Sequence, residues 1–335
     1  MLCSVSTFWN VQYCEIAPRA QVIRKGSEPM KVDKKRTSRA AVLAVAALCV
    51  VLYGFMYAQS RVVNVEYADV YVKDLPDAFE GTKLLFLSDI HISGASDVQR
   101  TRDLMAQLQA LKPDLLLLGG DYSDLRAWNR LRCLGNRQKI DALEQQSIGY
   151  SHQWMESLAD FQAPLGQFAV QGNHDVKDMF LSQSLALGGV RLLMNETVAV
   201  EKDGATLTLA GLGDYTEGDF QLQSVVQQVK QGDCVVLLSH NPDALPLIST
   251  TDVTGGGAWA DLTLCGHTHG GQIRLGKWAP ITNSDYGDRY LTGWHEEIGG
   301  FALTSNGVGT SLLPIRFNAP AQAHLITLHV SRPRP

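Results

Sequence analysis

Five short motifs carry most of the chemistry in this 335-residue chain: SDIH (88–91), GGDYSD (119–124), GNHD (172–175), SHNPD (239–243) and GHTHGGQ (266–272). Each follows an apolar run that reads as a buried strand. Together they offer Asp89, His91, Asp121, Asn173, His240, His267 and His269. Seven oxygen and nitrogen ligands at strand ends suffice for two divalent ions that share one carboxylate. Such a pair suits in-line hydrolysis of a phosphate ester or anhydride.

Residue types and spacing assign expected roles. Asp89 and His91 alternate at a strand end, so both reach one ion. Asp121 can bridge two ions with its two oxygens. Asn173 adds a neutral oxygen, which limits negative charge where a phosphate must bind. His240, His267 and His269 complete the shells as neutral imidazoles. Gly266, Gly270 and Gly271 let the backbone bend sharply around two of them. A hydroxide held between the ions is the expected nucleophile. His174, beside Asn173, is expected to protonate the leaving group or stabilise the transition state. Asp175 is expected to orient the His174 imidazole. Any one motif is weak, and a lone histidine in an apolar strand is usually structural. All five in order leave little room for a purely structural explanation.

The elements that must position these residues follow from periodicity. Residues 62–75 alternate apolar and polar, a strand pattern. Lys83–Asp89 and Asp114–Asp121 read as strands flanking a helix near Val98–Leu111. This strand–helix–strand unit implies parallel pairing with a right-handed crossover. It puts Asp89 and Asp121 at the carboxyl edge of one sheet, where open α/β sheets place their sites. Residues 125–150 read as an insertion: either a surface loop or a cap beside the site, with Arg126, Trp128, Arg130, Arg132 and Arg137 available to an anionic or acyl substrate. Helices are expected near His152–Phe161, Lys177–Leu187 and Asp219–Lys230. A strand is expected over Gly166–Asp175, and short β segments from Gly189 onward, ending at Ala323–Val330. The expected architecture is two packed sheets with outer helices.

Residues 40–58 contain no charge and would span about 28 Å as a helix, close to the bilayer core. Basic residues from Lys31 to Arg39 precede this run, so the positive-inside rule keeps the N-terminus in the cytoplasm and the body outside it. An uncleaved anchor is preferred to a cleaved signal, because the run is long and its cleavage pattern poor. Segment 1–39 reads as a basic, disordered leader, and Met30 as an alternative start. That segment holds eight Lys/Arg against three Asp/Glu, a charge of +5. The whole chain carries −5, so the remainder carries −10. An acidic body gives no support for nucleic-acid binding. The six cysteines form no CxxC pair. Cys234 and Cys265 read as buried free thiols, with a bridge between them as the alternative.

At these motifs the chain resembles the calcineurin-like metallophosphoesterases, over roughly residues 83–330. The resemblance implies a four-layer α/β/β/α sandwich of two packed mixed sheets, with Mn²⁺, Fe or Zn²⁺ at the site. It assigns Asp89, His91, Asp121 and His269 to one ion, and Asp121, Asn173, His240 and His267 to the other. GHTHGGQIRL, LPIRFNAP (313–320) and the membrane span resemble a YkuE/YaeI/LpxG-like subgroup. That subgroup includes envelope phosphodiesterases and UDP-2,3-diacylglucosamine hydrolases of lipid A synthesis, which release UMP. Asn306 stands where relatives often carry a basic residue, and the 125–150 insertion is not typical of them.

Three functions compete. The first is a membrane-anchored dinuclear hydrolase acting on a phosphorylated lipid or nucleotide-lipid. The second is a hydrolase of soluble or cell-wall phosphate esters, for which the anchor only sets location. The third is an inactive metal-binding scaffold, against which the full ligand set and His174 argue. Expected partners are the membrane and a phosphorylated substrate. UDP-linked lipid precursors are cytoplasmic, whereas the charge bias points the domain outward.

Overall fold

The computed structural model describes residues 34–253, 256–297 and 300–331. The expectations for residues 1–33, including the start at Met30, lie outside them. The chain divides into two compact units between Cys49 and Val50. Helix α1 (Lys34–Ser60) crosses that boundary and begins within the segment 1–39 expected as disordered, so residues 34–39 are helical instead. Its stretch Ala41–Ser60 has a mean hydropathy of 2.3 and only Ser60, at its end, is buried, so it is long and apolar enough to cross a bilayer.

In the second unit, two six-stranded mixed sheets pack face to face among the described residues. The first has the order β1 (Val63–Val72), β12 (Ala321–Val330), β2 (Lys83–Leu87), β3 (Leu115–Leu118), β4 (Gln167–Ala169) and β5 (Arg191–Leu192). Only β12 and β2 pair antiparallel there. The second runs β10 (Gly293–Glu297), β11 (Gly300–Thr304), β9 (Leu262–Cys265), β8 (Val235–Leu238), β7 (Ala205–Gly211) and β6 (Glu196–Lys202). Its outer pairs are antiparallel and its inner ones parallel.

Central strands β2, β3, β8 and β9 are covered on both faces, and so are apolar apart from Lys83 at the start of β2 and Thr263 in β9. Leu84, Phe86, Leu115 and Leu117 point between the sheets to meet Leu207, Leu209, Val236, Leu238 and Leu264. Leu85, Leu87, Leu116 and Leu118 point outward onto α2 (Ala95–Gln109), α4 (Arg137–Glu156) and α5 (Leu181–Leu187). Val235 and Leu237 pack on α6 (Leu222–Val226) and α7 (Leu245–Thr250). These are the four expected layers.

Several elements differ from the sequence expectations. The stretch expected as an insertion is α3 (Ala127–Arg132) followed by α4, which starts at Arg137 rather than near His152. The buried face of α4 includes Ser147 and Ser151 beside Ile148, Trp154 and Met155, so serines interrupt its apolar stripe. The Asn136 side chain caps it by accepting from Lys139 N. β4 ends at Ala169, and residues 173–175 form a 3₁₀ turn instead of continuing the strand. The helices expected over 177–187 and 219–230 shorten to α5 and α6. Cys234 and Cys265 are both buried and unpaired.

His324 on β12 is 5% exposed and sits 3.0 Å from the Ser305 hydroxyl. Burial pushes its imidazole down to about 4. The folded state therefore resists a proton that the unfolded chain accepts near pH 6.5. The stabilisation is complete above about 6.5 and declines as pH falls towards 4. Over that window stability should fall by up to about 3 kcal/mol, the free-energy equivalent of taking the imidazole from 6.5 to about 4. Thermal melts of the wild type and His324→Gln across pH 4–7 check this. The variant should show the flatter profile, and parallel profiles would contradict the assignment.

Candidate metal centre

The ends of parallel strands in both sheets converge on one edge. Asp89 and His91 follow β2, Asp121 follows β3, Asn173 follows β4, His240 follows β8, and His267 and His269 follow β9. Five of these adopt left-handed backbone: Asp89 (φ 53°), His91 (49°), Asp121 (59°), His267 (72°) and His269 (54°). This conformation is disfavoured for residues with a Cβ, and its concentration here marks a site that the surrounding fold holds under strain. Backbone bonds fix it: Asp89 N–H donates to Gly120 O (2.9 Å) and His91 N–H to Asp121 O (3.0 Å). At Gly266 a Cβ would overlap the Ser88 hydroxyl and the Asp89 carboxylate, so only glycine lets this turn approach so closely.

The side chains form two clusters joined by Asp121. Asp89, His91 and His269 make the first, with His91 Nε2 2.9 Å from His269 Nε2 and 3.9 Å from Asp89 Oδ1, and His269 Nε2 3.6 Å from Asp89 Oδ1. Asp121, His240 and His267 make the second. Asn173 joins it through Oδ1, 2.9 Å from His267 Nδ1. A single oxygen, Asp121 Oδ2, lies 3.5 Å from His91 Nε2 and 3.4 Å from His240 Nε2.

This donor set fits two divalent cations. His240 donates from Nδ1 to Gly119 O (2.7 Å), which turns its buried Nε2 into the site, 3.4 Å from Asp121 Oδ2. Burial and neighbouring cationic groups lower the affinity of His91, His267 and His269 for protons, so they stand as neutral ligands. Burial also works against a charged His240, but the adjoining Asp121 carboxylate outweighs it and raises the imidazole to about 10. The cluster attracts a cation at that position.

His174 lies beside this pair of clusters. Its N–H donates to Asp121 Oδ1 (2.9 Å), and its ring meets His91 edge-on at 4.9 Å. The carboxylate at its imidazole is Asp124, with Oδ1 3.3 Å from Nδ1, and not Asp175 as expected. Asp175 instead accepts from the backbone N–H groups of Asp121 (2.7 Å), Tyr122 (2.9 Å) and Gly172 (3.0 Å). It braces the turns that carry Asp121 and Asn173. The 3₁₀ turn at 173–175 points the Asp175 side chain back into the sheet edge, away from the ring of its neighbour. Burial and the nearby Asp121 push Asp175 up to about 7. Burial opposes a charge on His174, yet Asp121 and Asp124 hold it at about 9. Asp124 was legible as the last residue of GGDYSD, but spacing alone did not reveal its partner.

Two further spaces adjoin the clusters. A polar cavity of about 230 Å³ beside Asn173 and His174 is lined by Arg130, Glu144, Lys177 and Glu217. Of the arginines in 125–150, Arg130 reaches this cavity, Arg126 pairs with Asp97 (2.8 Å) and Arg137 with Asp141 (3.0 Å). An apolar groove of about 380 Å³ lies beside His269. Asn306 faces neither space, because its side chain accepts from the Thr292 hydroxyl (2.6 Å) and donates to Pro320 O (3.1 Å). The fully buried Arg316 donates to the carbonyls of Asn306, Gly309, Ala319 and His269, at 2.6–3.2 Å, and pins the loop of His269.

The family model of the calcineurin-like phosphoesterases matches residues 82–271, more than half of the chain. The chain belongs to this family. It is thus a phosphoesterase hydrolase of a dinuclear metal-binding kind, with its candidate ligand clusters in place. The metallophosphoesterase is 26% identical over 259 residues to the uncharacterized metallophosphoesterase YkuE of Bacillus subtilis, covering 76% of this chain and 81% of that one. It is 29% identical over 259 residues to phosphodiesterase YaeI of Escherichia coli, covering 73% and 82%. UDP-2,3-diacylglucosamine pyrophosphatase LpxG of Chlamydia muridarum is 23% identical over 243 residues, covering 63% and 70%.

Proposed function

We propose that this metallophosphoesterase hydrolyses a phosphodiester or pyrophosphate bond in a lipid-linked envelope substrate, with UDP-2,3-diacylglucosamine as the leading example. The position of Asp121 Oδ2 between the two clusters carries the reaction type in this proposal, since a carboxylate oxygen placed there can be shared by two ions. Asp89, His91, Asp121 and His269 would hold one ion, and Asp121, Asn173, His240 and His267 the other, with Mn²⁺ the first choice and Fe or Zn²⁺ the alternatives. Bound there, the ions would supply an activated water and neutralise phosphate charge.

The rest falls to the protein. His174 donates a proton from Nε2 to the leaving oxygen, while Asp124 holds Nδ1 and supports the charged ring. Asp175 keeps the Asp121 and Asn173 turns in register through its three backbone bonds. Arg130 and Lys177 line the cavity next to His174 and suit the polar part of a phosphorylated substrate. Residues 40–58 anchor the enzyme as a single pass in a bacterial cytoplasmic membrane, after a basic leader over 1–39, with the catalytic domain over 62–335. A general envelope phosphodiesterase is the second proposal, favoured by the name and 29% identity of YaeI.

The test is an assay of the full chain loaded with Mn²⁺, following UMP release from UDP-2,3-diacylglucosamine beside hydrolysis of bis-p-nitrophenyl phosphate. UMP release outpacing the generic diester supports the lipid substrate. Turnover of the generic diester alone leaves the second proposal, and no turnover of either contradicts both.

A further inference from the structure

The groove beside His269 has apolar walls from Ile273, Pro280, Ile281, Leu312 and Leu313. Its size is that of a small-ligand cleft. His269 itself lines the groove, so an occupant would lie against the proposed metal site. Three features bear on what that occupant is.

The first is Leu312. It adopts left-handed backbone (φ 59°) and remains 47% exposed. Two backbone bonds account for the turn: Leu312 N–H donates to Asp124 Oδ2 (3.2 Å), and Leu312 O accepts from Ala127 N–H (3.0 Å). They do not account for a leucine, since asparagine or glycine would meet the same turn with less strain. Strain without burial at a groove wall points to a ligand.

The second is the position of the groove relative to α1. Ser60 donates its hydroxyl to Pro314 O (3.0 Å), and Arg316 N–H donates to Met56 O (3.0 Å). The loop that walls the groove at 312–313 thus fastens the end of the candidate membrane span at 314–316. The third is the opposite wall. Its loop carries Leu275 and Trp278, 58% and 62% exposed, in addition to Ile281 at 59%. Exposed tryptophan and aliphatic side chains are the kind found at a bilayer–water boundary.

We propose that this groove receives the acyl chain of a membrane lipid whose phosphate is cleaved at the adjoining site. The substrate is an amphiphile: its chain enters from the bilayer between Ile281 and Leu312, and its polar part occupies the cavity beside His174. This rests on the hydrolase function proposed above and adds to it a chain-binding site.

The experiment uses the full chain loaded with Mn²⁺ in lipid nanodiscs, with ethyl and octyl p-nitrophenyl phosphate as probes. In each, water attacks phosphorus, the phosphorus–nitrophenolate bond breaks, and the released nitrophenolate is measured. Burial of the added methylenes should raise kcat/KM for octyl over ethyl by about tenfold or more. Ile281→Ser and Leu312→Asn should each lower that octyl-to-ethyl ratio by about fivefold or more, mainly through KM for the octyl probe. Both side chains are substantially exposed, and asparagine tolerates left-handed backbone, so neither variant endangers folding. Partition of the octyl probe into the nanodisc is the same for all three proteins and cancels in the comparison. A ratio near one, or one equal in wild type and variants, overturns the groove assignment while leaving the hydrolase intact; a partner protein seated in the groove would give the latter. Failure to hydrolyse either probe removes the proposed phosphodiester reaction, and the groove assignment with it.

Discussion

Asp121→Ala is expected to lower kcat/KM for bis-p-nitrophenyl phosphate by roughly a thousandfold or more, the scale of losing bridged two-ion stabilisation. One oxygen of this side chain reaches both clusters: Asp121 Oδ2 is within 3.5 Å of His91 Nε2 and of His240 Nε2. His267→Ala should fall in the same range, because His267 and Asn173 support one cluster together. Both variants should retain the wild-type circular dichroism spectrum, since the core between the sheets is formed by residues such as Leu84, Leu117, Leu209 and Val236, remote from either change. Retention of most activity by either variant would contradict a two-ion mechanism.

His174→Ala is expected to lower kcat by about 10²–10⁴, the usual range for a lost general acid, with KM little changed and metal content unaltered. The geometry separates this residue from the ligands. It reaches Asp121 through its backbone N–H, while its ring nitrogen Nδ1 lies against Asp124. Its imidazole also stands close enough to His91 and Asp121 to contribute a ligand atom, which makes metal content the deciding readout. If the variant loses an ion along with its activity, His174 is a ligand and the leaving group takes its proton from another source.

The motifs were legible because their residue types are chemically specific and each ends an apolar run. SDIH and GGDYSD follow β2 and β3, and SHNPD and GHTHGGQ follow β8 and β9. The parallel pairing of these strands then brings their ends to one edge. Contacts between motifs were not legible. Asp175 is the carboxylate that sequence adjacency offers to His174, but the 3₁₀ turn at 173–175 leaves Asp124 beside the ring while Asp175 turns to backbone amides. Helix α4 was hidden because Ser147 and Ser151 occupy its buried face. β10 was hidden because GWHEE, an edge strand with exposed Trp294, has no apolar run. The left-handed turns at Asp89, His91, Asp121, His267 and His269 have no sequence signature beyond the glycines near some of them.

The central claim is that this chain builds one centre for two ions around Asp121. Metal analysis of the purified full chain after Mn²⁺ loading and removal of loose metal tests it most directly, with Asp121→Ala measured alongside. Two ions per wild-type chain and at most one in the variant are expected. A wild type that retains fewer than two, or a variant that keeps both, would contradict the account.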